Sequence, residues 1–252
     1  MSKPHIPLEE LEAQVEACRR CPLADGRTHT VFGAGNPQAR ILIVGEAPGK
    51  NEDLQGIPFV GAAGKYLNEL LDIAGLRRED VYIANVLKCR PPGNRDPRPE
   101  EIEQCAYFLR EQTRTINPDI IVTMGNFATK FILKTEVGIT RLRGTVQHTG
   151  KFTVLPVFHP AAALYDSSKR ETLEGDFYTL GRLVRGELDA EAAAQHQQVG
   201  AESQAAAAAM QAGSGAAGGQ ASAAHGEAAK LEQQEEPPSP DEQGEQLSFG
   251  QL

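Results

Sequence analysis

The residues whose types and spacing can do chemistry in this chain fall into two sets. The first is four cysteines, Cys18, Cys21, Cys89 and Cys105, spaced C-x2-C, then 67 residues, then C-x15-C. Four cysteines in a cytoplasmic-looking chain favour a metal site over disulfides. Four thiolates suit either tetrahedral zinc or a [4Fe-4S] cluster, and spacing alone leaves both open. Four unrelated buried thiols are the plainer alternative. The second set is Glu46 in the run GEAPG, Phe59 in a loop, Asn85 at the end of an apolar run, and His159 before a proline. An aromatic to stack on, an amide to read an edge, an imidazole to hold an oxygen and a carboxylate near water describe a pocket for a flat, polar heterocycle. A phosphate-loop reading of GEAPG fits poorly, because the run matches neither G-x-G-x-x-G nor G-x-x-x-x-G-K-[ST].

These residues need elements to place them. ARILIVGE, DVYIANV, PDIIVTMG and KFTVLPVFHP are short apolar runs bounded by turn residues, and read as four buried strands. Helical spacing covers residues 6–20 through Leu8, Leu11, Val15 and Cys18. It recurs in GAAGKYLNELLDIAGL, which carries Leu67, Leu70, Leu71 and Ala74 on one face and stops at Gly75. RPEEIEQCAYFLREQTRTI opens with Pro99 and two glutamates, a start favoured by the helix dipole. NFATKFILK and ETLEGDFYTLGRLVRGEL supply two more helices. Strands alternating with helices predict an α/β fold: three layers, α/β/α, around a central, mainly parallel four-stranded sheet. Ligands of such sheets bind at the carboxyl ends of the strands. That rule selects Gly45, Glu46 and Ala47, then Asn85, Gly125 and His159. One metal group could also pin the N-terminal helix, which ends at Cys18, and the helix holding Cys105 to the sheet.

Charge divides the chain. Residues 187–252 hold eleven acidic side chains and one basic one, a net of −10, whereas residues 1–186 hold 24 basic and 23 acidic ones, a net of +1. The acidic pI near 5.2 therefore belongs to the last quarter and does not exclude nucleic acid as a partner of the rest. That last quarter is rich in Ala, Gln, Gly, Ser and Glu and almost lacks aliphatic or aromatic anchors, so it is read as a disordered tail after a domain spanning residues 1–186. No apolar run reaches membrane-spanning length, and MSKPHIPLEELEAQ lacks the apolar core of a signal peptide. The expectation is a cytoplasmic protein.

GEAPGKNEDLQGIPFVGAAG, NVLKCRPPGNRDP and HPAAAL, in that order and together with the two cysteine pairs, closely resemble the iron-sulfur uracil-DNA glycosylases of family 4 over roughly residues 5–186. The resemblance implies an enzyme that flips deoxyuridine out of DNA and hydrolyses its N-glycosidic bond. Carried over by position, Phe59 stacks on uracil, and Asn85 accepts from N3-H and donates to O4. Cytosine presents the opposite pattern and is rejected by unpaired polar groups. His159 donates to O2 as charge builds on the leaving base. Glu46 orients water or stabilises the sugar cation; Glu52 is second choice for that role and borders C5 of the base. Gly45 and Ala47 complete the substrate wall. The resemblance also favours a structural [4Fe-4S] cluster over zinc at the four cysteines. The cluster would fix the loop carrying Arg90, Arg95 and Arg98 against DNA phosphates, with Leu164 as a wedge into the helix.

Two features depart from the wider superfamily. Ala47 stands where its best-known branch has an Asp, so the chemistry rests on Glu46 or on charge stabilisation alone. PPGNRDPRPEE lacks the basic insertion of covalently trapping relatives, which implies turnover. The rival readings are a non-catalytic zinc- or Fe-S-containing nucleic-acid-binding module and a glycosylase for another deaminated base. The terminal EQLSFGQL loosely resembles the bacterial clamp-binding peptide through Gln246, Leu247 and Phe249, without the usual Leu-Phe pair. If it is a hook on a tether, deleting residues 244–252 abolishes binding to a sliding clamp, and unchanged affinity in a binding assay refutes the idea.

Overall fold

The computed structural model describes residues 5–188; the acidic tail and the clamp-like peptide lie outside the described residues. In chain order the elements are α1 (Leu8–Glu16), α2 (Leu23–Gly26), β1 (Ala34–Gly35), β2 (Ile41–Gly45), α3 (Lys50–Gln55), α4 (Ala62–Ile73), β3 (Tyr82–Asn85), α5 (Pro99–Ile116), β4 (Ile120–Met124), α6 (Asn126–Leu133), α7 (Ile139–Leu142), β5 (Gln147–Thr149), β6 (Phe152–Val157), α8 (Pro160–Ala163) and α9 (Ser167–Val184). Short 3-10 turns lie at Arg78–Asp80 and Pro92–Asn94.

The sheet runs β1-β3-β2-β4-β6-β5. Its inner four strands are the four read from the sequence, and they are mutually parallel. The expected count of four is corrected to six, because β1 pairs antiparallel with β3, and β5 with β6, at the two edges. Neither edge strand has an apolar run: β1 is two residues long and β5 is the polar Gln-His-Thr. They are strands by pairing and not by composition.

Every residue of β2, β3 and β4 is buried, as a sheet covered on both faces requires. Leu42 and Val44 join a core with Leu109 and Ile116 of α5 and Ala128 and Ile132 of α6. Successive strand residues point to opposite faces, so Ile41 and Ile43 look the other way. On α4, Leu67, Leu70 and Leu71 are fully buried, and the helix packs against α9 with its Leu173, Phe177 and Leu180. A further core lies under α1, where Leu11 and Val15 meet Phe32, Leu87 and Phe108 beside the cysteines.

Helix ends differ modestly from expectation. α1 stops at Glu16 and not near Arg20, because the chain turns there to bring Cys18 and Cys21 inward. α5 starts at Pro99, with Glu101 Oε2 accepting from the Arg98 amide at 2.9 Å. α9 begins at Ser167, earlier than the apolar pattern suggests, because Asp166 Oδ1 accepts from the Ser168 amide at 3.1 Å and caps it.

The chain leaves β2 to build β3 on one side and later crosses to β4 on the other, so the sheet's topological switch lies beside the end of β2. In the register Gly45 faces Asn85, so β2 and β3 give out at the same level. The crevice for a ligand is therefore bordered by the residues just past them. Among the described residues no helix is long and apolar enough to cross a membrane.

Candidate active site and cysteine cage

A pocket of about 400 Å³ opens at that crevice, lined by Glu46, Glu52, Phe59, Asn85, Arg95 and His159 with Ala47 beside them. The volume suits a small ligand. The residues picked from three separate strand ends thus meet in one place. Gly45 is what lets them do so: a Cβ there would lie 2.4 Å from Asn85 Oδ1 and 2.9 Å from Phe59 Cζ.

Phe59 is held in a conformation it does not choose. Its φ is +52°, the left-handed region, which a non-glycine residue occupies only when its surroundings insist. Three contacts do this. Glu52 Oε1 accepts from the amides of Val60 at 3.0 Å and Gly61 at 3.1 Å. Arg78 donates to the Pro58 carbonyl at 2.5 Å. Gly64, in the first turn of α4, lets the Phe59 carbonyl approach so closely that a Cβ would sit 1.8 Å from its oxygen. The Phe59 ring then lies 5.6 Å from the His159 ring with an interplanar angle of 29°.

His159 caps α8, its Nδ1 accepting from the Ala161 amide at 3.2 Å. That bond fixes the tautomer: Nδ1 carries no hydrogen, so the neutral ring carries it on Nε2. Burial pushes the imidazole down to about 4, against a weaker upward pull from Glu52, so it is neutral at physiological pH. Asn85 is 1% exposed and its Oδ1 has no hydrogen-bond partner among the described residues. Glu46 is half-buried; desolvation, and after it the charge of Asp96, raise its carboxyl above the ordinary value.

The cysteines converge as well. Cys18, Cys21, Cys89 and Cys105 line one small cavity between α1, the loop after β3 and α5. Two donors already face sulfur: Arg27 Nη1 at 3.3 Å from Cys89 Sγ and the Lys88 amide at 3.2 Å from Cys105 Sγ. Burial pushes the Cys105 thiol up to about 12, with Lys88 pulling it down, and raises Cys89 and Cys21 too. These thiols stay protonated until a metal displaces the proton. Among the described residues no three His, Cys, Asp or Glu side chains close on a single ion, although the four sulfurs share a cavity. The Lys88 ammonium is itself driven down to about 7 by burial, which the nearby Cys105 and Cys89 oppose.

The basic loop is less uniform than its composition. Arg95 lines the pocket, but its two terminal nitrogens grip Glu101 at 2.9 and 2.5 Å, and Glu101 is 1% exposed. Arg90 donates to Asn94 Oδ1 at 2.7 Å, and Arg98 is exposed. Leu164 is 41% exposed, and Tyr165, which the sequence reading passed over, is 92% exposed beside it. Gly64, Arg78, Arg27 and Lys88 were also missed, since each acts through a contact that composition and periodicity do not signal. An aromatic straight after HPAAAL was the one available signal, and it pointed to Tyr165.

A mainly parallel sheet with a small-ligand pocket at its switch point and a four-thiol cage beside it defines a narrow class. The family model described as the uracil DNA glycosylase superfamily matches residues 32–179, and the chain belongs to that superfamily. Within it the chain sides with the type-4 branch. It is 48% identical over 184 residues to a type-4 uracil-DNA glycosylase of Archaeoglobus fulgidus, covering 70% of this chain and 92% of the relative. It is 46% identical over 188 residues to one of Sulfurisphaera tokodaii, covering 70% and 84%. A type-5 uracil-DNA glycosylase of Thermus thermophilus is more distant, at 32% over 161 residues, covering 58% and 72%.

The Phe59 loop gives a stability test. The Gly64→Ala methyl collides with backbone that cannot rotate away, so the variant is expected to lose about 3 kcal/mol or more in denaturant unfolding. A loss well under 1 kcal/mol would show that the loop is not clamped as described.

Proposed function

We propose that this chain excises uracil from DNA by hydrolysing the N-glycosidic bond, leaving an abasic site for base excision repair. The observation that carries the reading is the orphaned Oδ1 of buried Asn85, in the same pocket as the Nε2-H of a neutral histidine and a fixed aromatic ring. An acceptor left without a partner is matched by a base that brings a donor, and N3-H of uracil is one. The amide NH2 then donates to O4. Cytosine offers an acceptor at N3 and a donor at the neighbouring position, and meets like with like.

In this mechanism the uridine is flipped into the pocket and its ring lies on Phe59. As the C1′–N1 bond breaks, the electron pair goes to the base, and negative charge spreads to O2. His159 stabilises it through Nε2-H as a neutral donor and keeps its proton. Water adds to C1′, and Glu46 in its carboxylate form orients the water and receives its proton. Burial suits Glu46 to this, since a desolvated carboxylate is a stronger base. Ala47 supplies no second carboxylate. Glu52, whose Oε1 is committed to the Val60 and Gly61 amides, acts by holding the Phe59 platform.

The cage of Cys18, Cys21, Cys89 and Cys105 fits a [4Fe-4S] cluster, with zinc the less favoured occupant. Four thiols around one cavity supply the four ligands that such a cluster takes, and the similarity to type-4 uracil-DNA glycosylases favours it over zinc. When bound, the group would supply a covalent tie between the turn after α1, the loop after β3 and α5; hydrolysis itself involves no change of oxidation state. On DNA, Arg90 and Arg98 are assigned to phosphates and Leu164 with Tyr165 to the gap left by the flipped base. Arg95 keeps its loop in place through Glu101. Contact with a sliding clamp through Gln246–Phe249, a monomeric state and a cytoplasmic, nucleoid-associated location complete the reading.

The test uses anaerobically purified protein, a single-uracil duplex and alkali, with matched cytosine and thymine duplexes. Strand cleavage with uracil alone supports the reading; no cleavage by protein with an intact cluster overturns it. His159→Ala is expected to lower kcat by about 10²- to 10³-fold. A pH series tests Glu46. Its acid form is inactive, so the rate falls as pH drops through the Glu46 pKa, which lies above the usual Glu value, whereas His159 changes charge only near 4. Glu46→Gln should lower kcat by about 10²-fold or more and erase that acid limb. An unchanged limb would remove Glu46 from the reaction.

A further inference from the structure

Lys88 is 1% exposed and among the largest side chains fully removed from solvent. It does not line the base pocket; it lines the cysteine cavity. Its ammonium donates to the main-chain carbonyl of Asn85 at 2.8 Å and to Gln112 Oε1 at 2.6 Å. Gln112 is anchored in turn, donating through Nε2 to the Phe32 carbonyl at 2.9 Å. The main chain of Lys88 is tied at both ends: its amide donates to Cys105 Sγ at 3.2 Å, and its carbonyl accepts from the Val31 amide at 2.8 Å.

Burying an ammonium among neutral acceptors is expensive, and an apolar side chain of the same length would fill the space at less cost. Packing therefore does not account for a lysine here. What the ammonium does that a hydrocarbon cannot is donate to the Asn85 carbonyl and to Gln112, and of these two only Asn85 lines the base pocket. That carbonyl belongs to the last residue of β3; beyond it the Val86 and Leu87 amides still donate to the Gly45 and Glu46 carbonyls at 3.0 Å, and the bond from Lys88 adds a side-chain tie at the residue whose own amide must be aimed.

We propose that Lys88 is the positioning residue for Asn85: it ties the backbone of the base-reading residue to the wall of the cysteine cage, so that the cage sets base recognition as well as the shape of the DNA-facing loop. The proposal rests on the functional reading above, in which Asn85 reads uracil. It assigns Lys88 no contact with substrate and no proton transfer.

The experiment compares the cluster-loaded full chain with its Lys88→Met variant, which keeps the bulk and loses the donor. Three quantities are read: visible absorbance with iron content, affinity for a duplex carrying an abasic site, and inhibition of excision by free uracil. The expected result is a normal cluster, abasic-DNA affinity within about threefold of the parent, and uracil inhibition weakened by about tenfold or more, the loss of one well-placed hydrogen bond's worth of alignment. Unchanged uracil inhibition overturns the proposal. So does a parallel loss of uracil and abasic-DNA affinity, which would mark a general structural role. If Lys88→Met fails to take up a cluster, Gln112→Leu decides, since it releases the ammonium from its second anchor. Selectively weaker uracil inhibition supports the proposal and unchanged inhibition refutes it. The parent protein keeps the two readings apart. If it does not excise uracil, the functional reading fails, whereas an active parent beside an unaffected Lys88→Met overturns the role of Lys88 alone.

Discussion

The amide of Asn85 is held almost wholly out of solvent, and its oxygen faces no donor among the described residues. In a finished hydrogen-bond network such an oxygen costs about 1–3 kcal/mol, and a fold tolerates it where a ligand completes the set. The arrangement around it follows from keeping that amide still and close to its neighbours. β2 and β3 end level, and the absent Cβ of Gly45 admits the amide and the Phe59 ring to the same space. The sheet's switch point opens the crevice there.

Phe59 and His159 show the same logic by different means. Phe59 is forced into a left-handed backbone by Glu52, Arg78 and the bare α-carbon of Gly64, so its ring cannot relax away from the pocket. His159 is locked through one backbone hydrogen bond that decides which nitrogen carries the proton, and burial keeps the ring uncharged. A neutral donor suits a leaving base that becomes anionic: it stabilises the charge without being titrated by it. Glu46 is shifted by the same desolvation in the opposite sense. One partly desolvated pocket therefore yields an uncharged imidazole and a more basic carboxylate.

The cysteine cage and the base pocket are two sites of one loop. Asn85 and Cys89 are four residues apart, and between them Lys88 bonds to Asn85 with its side chain and to Cys105 with its main chain. Arg27 and the Lys88 amide supply hydrogen bonds to sulfur, which a metal-bound thiolate accepts more readily than a thiol. Glu101 joins in from the other side, capping α5 while gripping Arg95.

Much of this was legible in the sequence for a physical reason. Buried parallel strands need unbroken apolar runs, so four strands, and the chemical residues at their carboxyl ends, could be read from composition and period. The cysteine spacing likewise announced a shared site. The edge strands could not be read, since Ala34–Gly35 and Gln147–Thr149 are strands through their partners and not through their own side chains. Nor could Arg95 be told apart from Arg90 and Arg98: all three are arginines in one loop, and only the fold brings Glu101 to the first of them. The same holds for Lys88, a solvated charge by composition that tertiary structure carries into the core. The sequence by itself determined which side chains could do chemistry and at which strand ends they would stand. Which of them are aimed, which are committed elsewhere and which stay uncharged were decided by the folded geometry and by burial, which the apolar pattern of the sequence cannot encode.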